Sequence, residues 1–174
     1  MLERNKDGAI SLLKILEKQE EDLVFDKFNN EDALKLGIIL SEVVKDTKEP
    51  LSLRVFIEDT IVFQYTMEGD SNTRFGWTLR KYNLIRKTGH SSMHGKVRAL
   101  YLNELMDLYK ESDTYGFGCG GFPIIVKDKG IVGTVAVSGL KDPLDHFYVV
   151  EALERMLGIK TVKIPPEVDE TWFE

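Results

Sequence analysis

Apolar and polar positions divide this chain into stretches of period two and stretches of period near 3.6. Leu51, Leu53, Val55 and Ile57 alternate with Ser52, Arg54, Phe56 and Glu58, and after Asp59-Thr60 the residues Ile61, Phe63, Tyr65 and Met67 alternate again. That pattern predicts a hairpin with one face toward a core. Residues 122–126 and 131–137, joined by Asp128-Lys129-Gly130, predict a second hairpin. Its return strand carries no charge, which places it centrally in the sheet with both faces covered. Leu23-Val24-Phe25 supplies one more short β-type run.

Helical spacing accounts for most of the remainder. Residues 8–21 repeat Ile10, Leu13 and Leu16, with Leu12 on a neighbouring line. Asn29 or Asn30 caps a helix over 31–45, whose stripe reads Leu34, Ile38, Ser41 and Val44 with Val43, flanked by Leu36 and Leu40. Gly69-Asp70-Ser71-Asn72 breaks the first hairpin's second strand and opens a helix over 73–87. There Phe75, Leu79 and Tyr82 form one line and Trp77, Lys81 and Leu84 another, with Gly89 beyond the end and Trp77 assigned to the core. Ser91 or Ser92 begins a fourth helix to about Lys110, with Val97, Leu100, Tyr101, Leu105 and Leu108 inward. The last helix, 143–157, has Asp142 as N-cap, Pro143 in the first helical position, Asp145 as capping-box acid and Gly158 as its stop.

Two hairpins and one extra strand leave little room for parallel crossovers. The expectation is an α+β fold: an antiparallel sheet of about five strands with helices on both faces, in three layers. Residues 1–163 read as a single domain and 164–174 as a C-terminal extended arm. Pro165, Pro166 and four acids oppose regular structure in that arm, yet Trp172 and Phe173 are costly in water. The arm is therefore expected to dock, on its own subunit or on a neighbour.

Composition narrows the class. The 174 residues are 43% hydrophobic and 30% charged, as in globular proteins, and no apolar run is long enough to span a bilayer. The charged first residues lack a signal-peptide core, and the single cysteine, Cys119, excludes an intrachain disulfide. A cytoplasmic protein is expected, with no membrane partner. The net charge of −6 argues against a nucleic-acid partner. The charge is unevenly spread, however. Between Ser71 and Asn103 there is no Asp or Glu, while Arg74, Arg80, Lys81, Arg86, Lys87, Lys96 and Arg98 all fall there. That stretch carries +7 against a whole-chain −6, so the remainder carries −13.

Candidate chemistry clusters around two features. Gly116, Gly118, Gly120 and Gly121 either admit a ligand to the backbone or serve packing alone. Arg80 and Lys81, with Arg86 and Lys87, suit phosphate or carboxylate groups, or the acidic surface of a second subunit. His90 and His94, at i and i+4, have the spacing of a metal clamp, but no adjacent Glu completes a metalloprotease motif. Capping or surface roles are assigned to them, and no metal site. His146 lies in the first turn of the last helix, where the helix dipole favours a neutral ring. Cys119 is assigned a structural role, since no base can be placed beside it.

The motifs Gly120-Gly121-Phe122-Pro123-Ile124, Gly130 through Leu140 (G-I-V-G-T-V-A-V-S-G-L) and Asp145-His146 resemble the C-terminal signature of the GlcG/HbpS-like haem-degrading-domain family. Trp77-Thr78-Leu79-Arg80-Lys81 followed by Ser91-Ser92 resembles, more closely, its branch called uncharacterised protein family 0303. The resemblance covers roughly residues 8–158. It implies a profilin-like α/β/α fold, closed homo-oligomers and haem as a possible cofactor, without fixing a catalytic residue. One position departs from the pattern: Gly118-Cys119 stands where the branch carries a histidine before the glycines. The combined expectation is a small anionic or planar ligand held between the basic helix and the glycine strand. Arg80, Lys81 and Ser91 or Ser92 would meet the anion, Gly120 and Gly121 would give close approach, and Asp145-His146 would orient it. The alternative is a non-catalytic assembly module built on the basic face and the Trp172-Phe173 arm.

Overall fold

The computed structural model describes residues 2–69 and 72–174, with side chains outside 72–75. The expected break at Asp70-Ser71 and the side chains of Arg74 and Phe75 lie outside the described residues. In chain order the elements are α1 (Lys6–Asp22), β1 (Val24–Phe25), α2 (Asn30–Val44), β2 (Ser52–Ile57), β3 (Thr60–Thr66), α3 (Asn72–Thr88), α4 (Ser92–Leu102), α5 (Met106–Lys110), β4 (Gly121–Val126), β5 (Gly130–Ser138) and α6 (Leu144–Leu157), ending in a 3-10 turn, Glu170–Phe173.

The fold is the expected α+β sandwich. Five strands run in the order β1-β4-β5-β2-β3, antiparallel throughout except that the two-residue β1 lies parallel to β4. β5 is central, as its uncharged sequence requires, and pairs with β4 on one side and β2 on the other. α2 and α6 cover one face with hydrocarbon: Leu36, Leu40, Val44, Val149 and Leu153 meet Leu53, Val55, Phe122, Ile124, Val135 and Val137. α3 and α4 cover the other face. A second core joins α1 and α4 to the C-terminal arm, where Trp172 and Phe173 are buried with Leu12, Leu16, Met93 and Val97. The arm thus docks on its own chain, and the Tyr101 hydroxyl donates to the Trp172 carbonyl at 2.8 Å.

Three local expectations are corrected. Residues 92–110 are not one helix: Asn103 (φ 54) and Leu105 (φ 57) are left-handed, and both the Asn103 and Glu104 amides turn back to the Arg98 carbonyl. Asparagine tolerates that conformation, which ends α4 a turn after Arg98 and leaves Leu100 exposed. On α2 the core line is Ala33, Leu36, Gly37, Leu40 and Val44, whereas Leu34 and Ile38 point outward. Gly37 decides the rotation, because the Phe63 ring lies where a Cβ would stand. At the start of α6, Pro143 is the cap residue and makes no side-chain cap, because Asp142 and Asp145 are engaged elsewhere.

Candidate ligand site

α3 carries Lys81 across the start of β4, close against two glycines. A Cβ on Gly121 would come 3.0 Å from the Lys81 Cβ and 3.1 Å from the Ser92 hydroxyl, and Gly120, at φ 108, would drive one into Asp145 and the Val137 carbonyl. Glycine at these two places lets a lysine chain pass under the strand. The Lys81 ammonium donates to the Val137 carbonyl at 2.6 Å and to Asp145 Oδ2 at 3.3 Å, and the residue is 2% exposed. Asp145 also accepts from the amides of Gly139 and Leu140, at 3.3 and 3.1 Å. Burial raises its pKa to about 6, although Lys81 and the Leu140 amide pull it down.

A second ion pair lies beside the first. Lys96 of α4 meets Asp142 Oδ2 at 2.5 Å, while Asp142 Oδ1 accepts from the Cys119 amide at 2.7 Å. The Cys119 thiol is fully buried, and burial followed by the nearby Asp142 charge pushes its pKa well up, so it is not a thiolate nucleophile. Above the two pairs opens a cavity of about 810 Å³. Trp77, Tyr109, Tyr115 and Phe117 form its aromatic wall, and Ser112 and Lys141 stand at other points of the lining. Tyr109 and Phe117 meet edge-on with ring centres 5.0 Å apart. Arg80 braces this wall from α3. Its guanidinium stacks 3.9 Å from the Trp77 ring centre and donates to the Ser112 carbonyl at 2.8 Å, and the Gly116 amide donates to the Arg80 carbonyl at 2.9 Å.

The structure brings Lys81, Ser92, Gly120, Gly121 and Asp145 together on one side of the sheet, and of these Lys81 and Asp145 line the cavity. The Ser92 hydroxyl accepts from the Gly121 amide at 2.9 Å and fixes the strand from behind. Ser91 and His146 face α1 instead. The Ser91 side chain caps α4 and its amide donates to Glu20 at 2.8 Å, while His146, fully buried, meets Gln19 at 2.9 Å. Burial lowers the His146 pKa to about 3, so its ring is neutral. His90 and His94 stack 4.0 Å apart against α1, bonded to Glu20 and Glu17, and no group of three metal-ligating side chains is placed to hold an ion among the described residues.

Sequence reasoning did not find Lys96, Tyr109, Tyr115, Phe117, Lys141 and Asp142 as lining residues, and it placed Trp77 in the core rather than in this half-buried wall. Tyr115 and Phe117 alternate with the very glycines that drew attention, and that spacing was the available signal.

This three-layer arrangement, with a cavity at the glycine end of the central hairpin, defines the class; comparisons with known proteins give the family. The family model described as "Haem degrading protein HbpS-like" matches residues 28–154. A UPF0303 protein of Streptomyces coelicolor is 34% identical over 145 residues, covering 82% of this chain and 92% of the relative. The chain belongs to the HbpS-like family, among its UPF0303 relatives. The solved structure of Ybr137w superposes with a TM-score of 0.77 at 22% identity, covering 84% of this chain and 87% of that one. The structure titled PduOC:Heme Complex superposes at 0.57 with 13% identity, covering 80% of this chain and all of that one. At those identities the two structures establish the shared fold alone. No helix among the described residues is long and apolar enough to cross a membrane.

Proposed function

We propose that this protein binds a flat, carboxylate-bearing ring compound in the cavity beneath Trp77 and Tyr115. The observation that carries the reading is the pairing of an aromatic wall with lysine ammonium groups around one 810 Å³ space. The ring stacks on the wall. Its carboxylates meet Lys141 and Lys96, which are more accessible than Lys81, and Lys81 and Asp145 hold the floor in place. A lysine ammonium meets an anion as a point charge, so the lysines select for charge and the wall for planarity. We place this protein in the cytoplasm, where a lone thiol stays reduced.

Haem is the ring that the family's description suggests, and the cavity suits part of it. The stacking surface and lysines fit a porphyrin and its propionates. The iron fits less well: among the lining residues there is no histidine, cysteine or methionine, and Tyr109 and Tyr115 are the lining side chains of a ligating kind. The binding is therefore through ring face and carboxylates, and no degradation step is derived from it.

Titration with metal-free protoporphyrin IX and with haemin, followed by tryptophan fluorescence, tests this. Both compounds are expected to quench saturably with similar affinity, and Tyr115→Ala or Lys141→Ala to weaken both about tenfold. Absence of saturation, or wild-type affinity in both variants, rejects the proposal.

A further inference from the structure

We propose that the ring compound held by the Trp77–Tyr115 cavity carries an uncharged aliphatic chain, which lies in a second groove across the loop 139–142. The inference rests on the ring reading above and adds a further part to that ligand. The groove encloses about 1000 Å³ between the start of α6 and the C-terminal arm. Its apolar lining is Leu140, Leu144 and Phe147 from one side and Ile164, Pro166 and Val168 from the other. Gly139, Leu140, Lys141 and Asp142 border both spaces, so the loop they form is the partition between ring cavity and groove.

Both walls of the groove are anchored. Asp145 accepts from the Gly139 and Leu140 amides, and Asp142 is tied to Lys96 and to the Cys119 amide, which fixes the partition. On the arm, Val168 is buried, the Leu2 amide donates to Glu167 at 2.8 Å, and Trp172 and Phe173 pack against α1 and α4. A chain entering this groove meets preformed walls and spends little binding energy on ordering them. Leu144, in the first turn of α6, is 44% exposed, apolar surface that a hydrocarbon chain takes out of water.

Charge sorts the two spaces and sets the direction of the ligand. The ring cavity is lined by Lys81, Lys96 and Lys141 against Asp142 and Asp145. The groove has Glu49, Asp142, Asp169 and Glu170 against Lys141 alone. An anionic group is drawn to the first space and repelled by the second, so the chain in the groove ends without negative charge. Lys141 stands on the partition, 2.8 Å from Glu170 across the groove, in a pair exposed enough to exchange. A carboxylate held by Lys141 therefore sits at the border, and the chain leaves the ring beside that carboxylate.

Isothermal titration of the full chain with 3-alkoxy-2-naphthoates, flat rings that carry the chain next to the carboxylate, tests the proposal. From methoxy through butoxy to hexyloxy the dissociation constant is expected to fall about threefold per added methylene. Leu144→Glu on one wall and Pro166→Glu on the other, both at exposed positions, are each expected to flatten the series, read as the ratio of hexyloxy to methoxy affinity within each protein. A hexyloxy chain ending in a carboxylate is expected to bind several-fold more weakly than one ending in a carboxamide, a gap that added salt narrows. Wild-type protein that binds the methoxy compound but gains nothing from longer chains, or a series equally steep in both variants, overturns the chain and leaves the ring reading standing. Failure of the whole series to bind removes the ring reading and this inference with it.

Discussion

The two faces of the sheet solve different problems with the same strands. Toward α2 and α6, β2, β4 and β5 present Leu53, Val55, Phe122, Ile124, Val135 and Val137, all buried among hydrocarbon. Toward α3 and α4 the alternate positions of the same strands carry Ser52, Arg54, Gly121, Thr134 and Ser138, also buried, beside the apolar Phe56 and Ala136. That second face closes over Lys81, Thr78, Ser92 and Asp145 as well. Arg54, 3% exposed, has its pKa lowered by burial to about 10. Burying charge is an inefficient way to stabilise a fold, since desolvation offsets most of what pairing returns. A sheet that is dry on one side and charged on the other therefore separates stability from site: the first face holds the strands, and the second fixes polar groups beneath a cavity.

The sharpest way to break this contrast is to remove one partner from each face. Lys81→Met leaves Asp145 buried without its cation and is expected to cost about 3–5 kcal/mol in urea unfolding at neutral pH. The deficit should shrink in acid, where Asp145 takes up a proton. Lys81→Met with Asp145→Asn is expected to recover most of the loss, because the unpaired charge is then gone while the Gly139 and Leu140 amides keep an acceptor. On the dry face, Leu40→Ala should cost about 2–5 kcal/mol through transfer and cavity terms, with no pH dependence and no second-site rescue of that kind. A double variant no more stable than Lys81→Met alone would refute the view that the pair is held for placement.

Acid sharpens the comparison next. The folded His146 titrates at about 3 against an ordinary 6.5, because it is fully buried. The unfolded chain therefore takes up its proton first, and the stability His146 contributes above pH 6.5 is lost as pH falls toward 3. Asp145 acts with the opposite sign: raised from 3.8 to about 6, it is protonated first in the folded state, which gains stability as pH falls through 6 toward 4. The histidine shift is the larger, so the wild type should lose stability between pH 6.5 and 4. His146→Phe should lose less or gain, a difference on the order of 3 kcal/mol at pH 4 by denaturant midpoints. Parallel pH profiles for the two proteins would remove His146 from the account.

What the sequence revealed follows the same division. Alternation marked the first hairpin, because a strand with one hydrocarbon face writes period two, while two β-favouring runs around Asp128-Lys129-Gly130 marked the second and the absence of charge in residues 131–137 its central strand. The stripe of α2 was misread because Leu34 and Ile38 are as apolar as Leu36 and Leu40. Only contact with Phe63 across Gly37 reveals which line faces in. The break at Asn103 and Leu105 was hidden for a related reason: apolar spacing continued through residues whose backbone turns left-handed. At the site, the acid-free basic segment and the glycines pointed to Lys81, Gly120 and Gly121, which do converge. The aromatic wall stayed hidden, since it comes from α3, a five-residue helix and the irregular segment after it, and periodicity says nothing about where such a segment folds back. Asp142 and Asp145 read as helix caps because capping and ion pairing ask for the same residue type at the same place.

The ion pairs around the cavity form a graded series that separates fold from binding most finely. Side-chain exposure runs from 2% and 3% for Lys81–Asp145, through 15% and 17% for Lys96–Asp142, to 78% and 48% for Lys141–Glu170. Coulomb attraction between exposed charges is screened by water and salt, so the last pair should add little to stability. Lys141→Ala is therefore expected to leave the urea midpoint unchanged while weakening porphyrin binding, an effect that added salt should mask. Lys96→Met should disturb both quantities, because Asp142 then loses its cation while still accepting from the Cys119 amide. A Lys141→Ala protein that unfolds earlier but binds porphyrin normally would invert the series, and would assign the outermost lysine to anchoring the C-terminal turn through Glu170.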